Sequence, residues 1–313
     1  MQMQHILSLV ALSEAGSLRS AAASLGRSQP GLTKNLRQIE DELGVRLFQR
    51  TSRGVIPTKI GQLVLARTRT IATDIRRLQE EVEQTKGGQH GTVAVCVSPF
   101  AATQIIPAAL LVFRQRFPEV DVQISSGLFP VAIVALREGQ TDIVIGPRPP
   151  ADQCRSLIVE PLVTTDIVIV TSKSSPHAKA RSIGDLSDAD WLMIGSPGGP
   201  GDNIRAGLFR ENGFRSPIAR ISSESYLAAF EIVGSLGLVC TFPGRFLREQ
   251  GNRYPNLVVI QVRETISPLE ISLLTRADVP PTPAARGMAA CIRRRVNTVY
   301  RPVRGQAKNN PKR

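Results

Sequence analysis

The chain has few of the residues that usually carry catalysis or bind metal ions. Its 313 residues include three histidines and four cysteines. His5, His90 and His177 lie far apart, and none follows the spacing of a known nucleophile and base pair. The sequence contains no GxSxG, HExxH or CxxC motif, and its GGPG segment lacks the Gly-Lys-Ser/Thr ending of a phosphate-binding loop. We therefore predict no enzyme activity, no resident metal ion and no cofactor.

Cysteine spacing and hydropathy indicate the cellular compartment. Cys96, Cys154, Cys240 and Cys291 are widely separated, so we predict reduced core residues, with a redox sensor as the alternative. No apolar run approaches the roughly 18 residues of a membrane span. The N-terminal apolar run has no basic leader, which argues against a signal peptide. The expected location is the cytoplasm, with no membrane partner.

Acidic residues are absent from the last 28 residues, and charge is uneven elsewhere. Residues 1–90 hold 13 Lys and Arg against 8 Asp and Glu, a net charge of +5. Residues 91–285 hold 17 against 18, and residues 286–313 hold 9 against none. The basic N-terminal region suits nucleic acid. The tail, residues 301–313, is predicted to be a disordered basic segment, with extra phosphate contact as the alternative.

Two short helices around a glycine are predicted between residues 18 and 43. An alanine-rich helix runs to Leu25, Gly26 breaks it, and a second helix begins near Ser28 with proline in its first turn. This pattern is typical of a helix-turn-helix, whose second helix enters the major groove of DNA. Its polar face offers groups that can reach bases and phosphates. The predicted DNA-contacting residues of this segment are Ser28, Gln29, Pro30, Thr33, Lys34 and Arg37.

The segment resembles the DNA-binding end of LysR-type transcriptional regulators. The matching residues are Leu12, Glu14, Gly16-Ser17-Leu18, Ala21-Ala22, Leu25, Ser28-Gln29-Pro30, Leu32-Thr33, Gln38-Ile39-Glu40, Leu43-Gly44, Leu47-Phe48, Arg50, Arg53-Gly54, Thr58 and Gly61. A departure is Pro57, where the family usually has leucine. About sixty positions in register make the resemblance specific. It implies a winged helix-turn-helix over residues 1–58.

Residues 45–57 contain β-forming residues and are predicted to form the wing. Arg50 and Arg53 lie in this segment and could contact phosphate or the minor groove of DNA. The alternative for both arginines is a salt bridge to Glu40 or Glu42. His5 is expected to be a surface residue rather than a ligand.

A long helix is predicted over residues 59–86, capped by Thr58. Two sets of positions recur every seven residues in this segment, as in the a and d positions of a coiled coil. We therefore predict a dimer, which matches two half-sites of an inverted repeat. The alternative is packing against the chain's own body. The predicted dimer residues are Val64, Ile71, Ile75, Leu78 and Val82, with Thr68 completing the pattern.

Beyond a predicted hinge at residues 87–91, strands and helices alternate. A βαβαβ order predicts a parallel sheet with right-handed crossovers, including one long helix from Pro99 to about Phe117. A second run begins near Thr165, and the last strand and helix are expected to return to the first lobe. The predicted effector domain spans 92–300, with lobe I formed by 92–162 and 266–300 and lobe II by 163–265. The overall prediction is a multidomain α+β chain. The layout resembles the two-lobed α/β periplasmic-binding-protein-like effector domain of the same family.

Ligand contacts are predicted where strands end and helices begin. Ser98 follows the first strand and opens a helix; the family resemblance implies an effector contact, and a plain helix cap is the alternative. The glycine-rich loop from Ser196 is a second candidate, with a surface loop as its alternative. Arg148 could supply positive charge. The full set of predicted effector-binding residues is Ser98, Pro99, Phe100, Ser125, Gly127, Arg148, Ser196, Gly198, Gly199 and Thr241.

These features together predict a DNA-binding transcriptional regulator that responds to a small organic effector, with anions as one candidate class. The resemblance further implies tetramers, RNA polymerase as a further partner, and the subgroup of toluenesulfonate and galactose-binding-protein regulators. Two other classes stay open at this point. One is a solute-binding protein, which the helix-turn-helix disfavours. The other is an architectural DNA-binding protein without an effector response.

Overall fold

A computed structural model describes residues 2–51, 54–86, 90–250 and 253–300. The side chains of Arg50 and Gln250 are not included in this description. Arg53, most of the predicted hinge (residues 87–89) and the predicted basic tail (301–313) lie outside the described residues. Internal contacts divide the chain into two units. The N-terminal unit contains residues up to 88 together with Ala135–Thr141, and the effector unit contains the rest.

The N-terminal unit has the predicted order of helices and a two-stranded wing. Its helices are α1 (Met3–Ala15), α2 (Leu18–Ser24), α3 (Gln29–Leu43) and α4 (Lys59–Thr85). Its strands are β1 (Phe48–Thr51) and β2 (Gly54–Pro57), which pair antiparallel with Arg50 opposite Val55. Apolar side chains of α1, α2, α3 and the wing, with Leu65 of α4, form one buried core.

Hydroxyl caps set where three of these helices begin. The Ser17 hydroxyl accepts a hydrogen bond from the Ser20 amide, and Ser28 does the same for Gly31 at 3.2 Å. Thr58 caps α4 by accepting from the Gly61 amide at 3.0 Å. A side-chain cap of this kind satisfies a backbone donor that the first helical turn leaves unpaired. Local sequence therefore fixes the helix starts.

A buried carboxylate joins α3 to the wing. Glu40 is 5% exposed, and its carboxylate accepts hydrogen bonds from the amides of Leu47 (2.8 Å) and Phe48 (3.2 Å). The guanidinium of Arg46 also donates to it at 2.7 Å. The alternative predicted for Arg50 and Arg53 was a salt bridge to Glu40. That carboxylate already accepts hydrogen bonds from three other donors.

His5 corrects the expectation of a surface residue. Its side chain is buried, and its Nδ1 lies 3.7 Å from a carboxylate oxygen of Glu42. The backbone amide of Gln2 donates to the same nitrogen at 3.4 Å as part of the cap of α1. The sequence missed this position because helix α1 starts at Met3, which brings His5 onto the packed face of the helix.

The effector unit contains ten strands and seven α-helices within the described residues, except that residues 135–137, the end of its third helix, fall within the Ala135–Thr141 segment of the N-terminal unit. Its strands are β3 (Gly91–Val97), β4 (Val120–Ser126), β5 (Ile143–Pro147), β6 (Leu157–Thr165), β7 (Ile167–Ser172), β8 (Trp191–Ile194), β9 (Ala219–Ser223), β10 (Cys240–Pro243), β11 (Leu257–Ile260) and β12 (Leu269–Arg276). Its helices are α5 (Pro99–Gln104), α6 (Ile106–Arg116), α7 (Val131–Arg137), α8 (Pro200–Glu211), α9 (Tyr226–Leu236), α10 (Gly244–Gln250) and α11 (Pro283–Val299).

Lobe I is built on a five-stranded sheet in the order β4-β3-β5-β12-β6. β3 pairs parallel with β4 and β5, as the βαβαβ order predicted. β12 pairs antiparallel with β5 and β6, so the sheet is mixed rather than parallel throughout. Helix α11 packs on the same core through Ala285, Met288 and Ile292. The last strand and helix therefore belong to the sheet and the core that begin with β3.

Two element predictions in lobe I were wrong. The single helix predicted from Pro99 to Phe117 is two helices, α5 and α6, which meet at Ile105. Pro107 explains the break, because proline has no amide to continue the hydrogen-bond ladder and is tolerated in a first turn. Residues 157–165 form strand β6, where the sequence predicted only a crossing near 162–165. β6 is an edge strand with one solvated face, so its hydrophobic run is short.

Lobe II contains two small sheets. β7 pairs antiparallel with β10 and β11, and β8 pairs parallel with β9. A parallel bridge between Trp191 and Val239 connects them. The Trp191 ring lies edge-on to Phe209 of α8 and donates from its indole nitrogen to the Leu186 carbonyl. Two chain crossings, β6 to β7 and β11 to β12, connect the lobes. In the described part of the chain, no helix combines the length and hydropathy needed to span a bilayer.

Candidate DNA-binding surface and ligand cleft

Helix α3 presents the predicted DNA-contacting residues on its solvent side. Leu32 and Ile39 are 1% exposed and hold the helix on the core. Thr33 is half-buried, and its hydroxyl donates to the Gln29 carbonyl at 2.9 Å, an internal helix bond. The exposed positions of the predicted set on this segment are Ser28, Gln29, Pro30, Lys34 and Arg37.

The charges of α3 suit a polyanion. Lys34 and Arg37 are exposed, and within the described part of the chain no acidic side chain forms an ion pair with either. Glu40, the acidic residue nearest to them on the helix, is buried under the wing. Arg27, in the turn before α3, is also exposed and was not among the predicted contacts. Its position just before the Ser28 cap is the sequence signal that could have identified it.

Helix α4 divides the predicted dimer stripe into two parts. Val64 is half-buried against the core of its own unit, and Thr68 is 1% exposed with its hydroxyl donating to the Val64 carbonyl. Packing against the chain's own body therefore accounts for this end of the stripe. Further along, Ile71, Leu78 and Val82 are 40%, 60% and 44% exposed. These side chains, with half-buried Ile75 between them, form an apolar seam along one side of the helix.

A cavity of about 620 Å³ lies between the two lobes of the effector unit. Its volume falls within the range of roughly 300–1,000 Å³ that holds small organic ligands. Lobe I supplies Pro99, Ala102, Thr103, Ser126, Gly127, Leu128 and Val131. Lobe II supplies Gly195, Ser196, Glu224, Ser225, Tyr226, Leu227, Phe246 and Arg253. We call this space the cleft cavity.

The cleft cavity combines apolar walls with hydroxyl groups. Three of the predicted ligand residues, Pro99, Gly127 and Ser196, lie in its lining. Glu224 and Arg253 are the charged residues of the lining, one of each sign. Ligand pockets usually combine such apolar surface with a few polar groups that orient the ligand.

Ser98 and Phe100 lie behind this wall rather than in it. Ser98 is 1% exposed, and its hydroxyl accepts from the Ala101 amide at 3.3 Å, which makes it a cap of α5. Its own amide donates to the Ile145 carbonyl of β5 at 2.7 Å. Phe100 is 1% exposed and packs in the lobe I core. Both positions follow from α5 beginning immediately after β3.

Ser125 faces a different neighbour from the one predicted. It lies opposite Cys96 in the β3–β4 pairing. Ser126, one residue further along the strand, lines the cleft cavity. Successive strand side chains point to opposite faces, so a shift of one residue changes which serine meets a ligand. Burial raises the pKa of the Cys96 thiol, and a protonated thiol is a poor nucleophile.

The glycine-rich loop has its backbone donors already engaged. The Gly198 amide donates to the Asp202 carboxylate at 3.0 Å, and the Gly199 amide donates to the Ser196 carbonyl at 2.9 Å. Asp202 also pairs with Arg205 at 2.6 Å. A negative charge therefore occupies the place where we predicted an anionic ligand. Neither Gly198 nor Gly199 lies in the lining of the cleft cavity.

Arg148 and Thr241 are also away from the cleft cavity. Arg148 follows β5, is paired with Glu270 at 3.3 Å, and lines a second, smaller cavity. Thr241 is 8% exposed in β10 and borders only a narrow gap of about 20 Å³ between the lobes. Arg148 follows the end of a strand as predicted, whereas Thr241, predicted at the end of a strand, is the second residue of β10. The sequence could not decide which side of the sheet either side chain faces.

The cleft residues that sequence reasoning missed come mainly from α5 and from the start of α9. Ala102 and Thr103 lie one turn into α5, and Ser225 caps α9 by accepting from the Ala228 amide. Tyr226 contacts Phe242 and Phe246 edge-on at 5.5 and 5.0 Å between ring centroids. The Ser225 cap was detectable from sequence, because serine before an apolar helical run signals a helix start.

Two family descriptions cover most of the chain. Residues 3–62 match "Bacterial regulatory helix-turn-helix protein, lysR family", and residues 86–297 match "LysR substrate binding domain". The combination of an exposed recognition helix with a two-lobed ligand-binding unit defines a DNA-binding transcriptional regulator with an effector domain. The chain belongs to the LysR family.

Relatives with known roles agree with this assignment. The chain is 26% identical over 304 residues to the HTH-type transcriptional regulator GbpR of Azospirillum brasilense, covering 96% of this chain and 88% of GbpR. It is 26% identical over 295 residues to the HTH-type transcriptional regulator GalR of Pseudomonas putida, covering 93% of this chain and 73% of GalR. These similarities confirm the resemblance to the galactose-binding-protein regulator subgroup.

Solved structures show the same fold. A full-length variant of OxyR from Pseudomonas aeruginosa matches with a TM-score of 0.67 at 20% identity, covering 94% of this chain and 95% of OxyR. Full-length CbnR complexed with its target DNA matches with a TM-score of 0.66 at 21% identity, covering 94% of this chain and all of that chain. At this identity the likeness concerns the fold.

Proposed function

We propose that this regulator binds an operator through α3 and that a small organic molecule in the cleft cavity changes its affinity for that DNA. The observation that carries the proposal is the cleft cavity itself, whose lining comes from both lobes. An occupant contacts both lobes, so its binding free energy depends on how the lobes are arranged. A ligand shifts a conformational equilibrium only through such a difference in affinity.

On the DNA side, Gln29, Lys34 and Arg37 are the proposed base and phosphate contacts, with Ser28, Pro30 and Thr33 placing the start of α3. Glutamine can read adenine, while lysine and arginine read guanine or hold phosphate. Arg50 and Arg53 of the wing segment remain proposed backbone contacts on the strength of the sequence alone. The DNA is expected to carry an inverted repeat.

Self-association is proposed through the apolar seam of α4. Leu78 is 60% exposed on a helix of 27 residues, and a second copy of the same seam would cover it. A two-fold pair of recognition helices then matches two half-sites in the DNA. Tetramers and contact with RNA polymerase are further proposals that follow from the family.

The ligand is proposed to be an organic molecule with an apolar part and hydroxyl-bonding groups. The proposed contacts retained from the sequence are Pro99, Gly127 and Ser196, and we propose Thr103, Ser126 and Ser225 of the same lining with them. An anion bound by the glycine-rich loop is no longer favoured, because the Gly198 amide donates to Asp202 and the Gly199 amide donates to the Ser196 carbonyl.

A screen on the full chain tests this proposal. Small carboxylates, sulfonates and sugars are added one at a time, and a ligand of the native state raises the melting temperature in a concentration-dependent way. Each hit is then titrated into a complex of the protein with DNA selected by the protein from a random pool.

Two tryptophan variants on one helix locate the site. Val131→Trp places a large ring in the cleft cavity and should abolish the shift caused by a hit. Val134→Trp changes a similarly exposed position one turn along α7 that is not part of the lining, and should leave the shift intact. Equal behaviour of the two variants would show that the ligand binds elsewhere.

A further inference from the structure

Two neighbouring helices of lobe I carry arginines and no acidic residue. Helix α6 has the sequence IPAALLVFRQR, and helix α11 has the sequence PAARGMAACIRRRVNTV. Together they contain six arginines and no aspartate or glutamate. Four of these arginines are exposed and form no ion pair with any described residue; they are Arg114, Arg116, Arg286 and Arg294. We call this set the basic face.

The carboxylates closest to these helices in the fold or in the sequence have other partners. Glu160 of β6 accepts hydrogen bonds from Arg293 of α11, the shortest at 2.7 Å. Glu119, which follows α6, lies 3.3 Å from the imidazole of His90. The charge of the basic face is therefore not neutralised by these two residues.

Close packing holds the two helices side by side. The Phe113 and Phe117 rings at the end of α6 stack with their centroids 4.9 Å apart. A Cβ built on Gly287 of α11 would overlap the Phe117 ring, so glycine permits this close approach. The Arg116 guanidinium lies 5.5 Å from the centroid of the same ring, within the range of a cation–π contact. These contacts place Arg116 beside α11.

Arg116 and Arg294 lie near one thiol although they belong to different helices. Burial raises the pKa of Cys291 on α11, and the positive charges of Arg116 and Arg294 oppose that rise. A side-chain charge affects a pKa in this way at short range. The two guanidiniums therefore share one part of the surface.

Helix dipoles account for only part of this arrangement. Cations are favourable in the last turn of a helix, where Arg114 and Arg116 lie in α6. Arg286, however, lies in the first turn of α11, where positive charge is unfavourable, and Arg294 is more than one turn from the end of that helix. Cations grouped against the dipole and against their mutual repulsion suit an anionic partner.

The shape of the basic face suits a polyanion with regularly spaced charges. Arg286 and Arg294 are eight residues apart on one helix, which corresponds to about 12 Å along the axis. One strand of DNA carries about three phosphates over that length. The chain's own tail is excluded as the occupant, because residues 301–313 contain five Lys and Arg and no acidic residue.

We propose that the basic face binds the phosphate backbone of DNA outside the segment that α3 contacts. Arg116 and Arg294 bind phosphates there without reading bases, and the charges of residues 301–313 add to the attraction. The position of this contact on an operator rests on the proposed function. The affinity of the face for phosphates does not, because it requires no particular DNA sequence.

Binding of the full chain to three duplexes tests the proposal, with fluorescence anisotropy at several salt concentrations as the measurement. The first duplex is trimmed to a sequence that the protein selects from a random pool. The second carries random flanks on both sides of that sequence, and the third is a random sequence of the same length as the second. The wild type should bind the flanked duplex about tenfold more tightly than the trimmed one, with a steeper salt dependence.

A double variant, Arg116→Gln with Arg294→Gln, removes two charges from exposed positions of the basic face. It should lower the salt slope on the flanked and random duplexes by about two, and it should remove most of the gain in affinity from the flanks. Lysine at both positions keeps the charge and should retain most of that gain.

The matched control is Arg181→Gln with Arg210→Gln, which removes the same charge from exposed positions of lobe II. It should keep the wild-type salt slope. Lys34→Ala should weaken binding to both selected duplexes and leave the gain from the flanks intact, because α3 and the basic face contact different parts of the DNA.

An unchanged salt slope in the double variant would overturn the proposal. An equal loss in the lobe II control would also overturn it, because net charge alone would then explain the binding. The proposed function fails by a different result, which is equal wild-type affinity for the flanked and the random duplex. In that case the slope on the random duplex still decides whether the basic face binds phosphates.

Discussion

The two units of this regulator differ in how far apart in the sequence their functional residues lie. The proposed DNA contacts of α3 lie within ten residues, on one helix whose start is fixed by its own Ser28 cap. The cleft cavity collects residues from Pro99 to Arg253 across two lobes and several strand ends. Functional residues on one helix can be predicted from their spacing in the sequence. A site formed by distant segments can be located only when the topology of the fold is known.

The largest expected effect concerns a place where the N-terminal unit does depend on a longer-range contact. Glu40→Ala removes the acceptor of the Leu47 and Phe48 amides, and each unsatisfied buried donor costs roughly 1–3 kcal/mol. We expect a loss of about 4 kcal/mol in the stability of the wing. Hydrogen exchange of the wing amides in the full chain measures it.

Asp41→Ala is the matched control, because it removes a carboxylate from the exposed position next to Glu40. It should change stability by less than about 0.5 kcal/mol, as surface substitutions usually do. Equal protection of the wing amides in both variants would mean that strand pairing alone holds the wing. The N-terminal unit would then depend even less on contacts between distant residues than the effector unit does.

The second prediction tests whether residues of the single helix α4 also determine self-association. Leu78→Asp should weaken dimers by about 3 kcal/mol, because a symmetric seam loses two leucines worth about 1.5 kcal/mol each. Sedimentation over a concentration series gives the dissociation constant. Gln79→Asp adds the same charge at the adjacent exposed position and should leave it nearly unchanged. Dimers of unaltered strength in Leu78→Asp would assign self-association to another surface.

The third prediction tests the recognition helix directly. Lys34→Ala should lower operator affinity about tenfold and reduce the slope of its salt dependence by about one, as expected for a lost phosphate contact. Fluorescence anisotropy at several salt concentrations measures both. Lys173→Ala removes an exposed lysine of the effector unit and should have no effect. A salt slope equal to the wild type in Lys34→Ala would remove Lys34 from the DNA contacts.

The smallest effect concerns the crossing from β6 to β7. The Arg248 guanidinium donates to the Asp166 carboxylate at 2.8 and 3.1 Å and lowers its pKa. A depressed carboxylate pKa stabilises the fold above the unfolded pKa of about 3.9, and this contribution is lost as pH falls through the folded pKa. Both side chains are about half exposed, so solvent screening limits the contribution to at most about 1 kcal/mol.

Arg248→Gln therefore should lower stability slightly at pH 7, and the difference from the wild type should shrink as pH falls below the unfolded pKa of about 3.9. Chemical denaturation over a series of pH values gives the comparison. A difference that stays constant down to the lowest pH would show that Arg248 contributes through packing rather than through the charge of Asp166.

The N-terminal unit could be predicted closely because its signals are local. The Thr58 cap, the proline after Ser28, the break at Gly26 and the helical spacing of leucines located its helices within a few residues. The exception was His5, whose burial depends on the start of α1 and on contact with Glu42. In the effector unit, the element order was largely right, but strand β6 and the break at Ile105 were missed.

The sequence by itself determined the family, the recognition helix, the long α4 helix and the alternation of strands and helices. These follow from backbone propensities, caps and hydrophobic periods that operate within one element. Tertiary structure alone decided that Ser126 rather than Ser125 lines the cleft cavity, that the Asp202 carboxylate accepts from the glycine-rich loop, and that Arg148 lies outside the cleft cavity, paired with Glu270. The reason is physical, because each depends on strand register and on partners distant in sequence, which local energies do not specify.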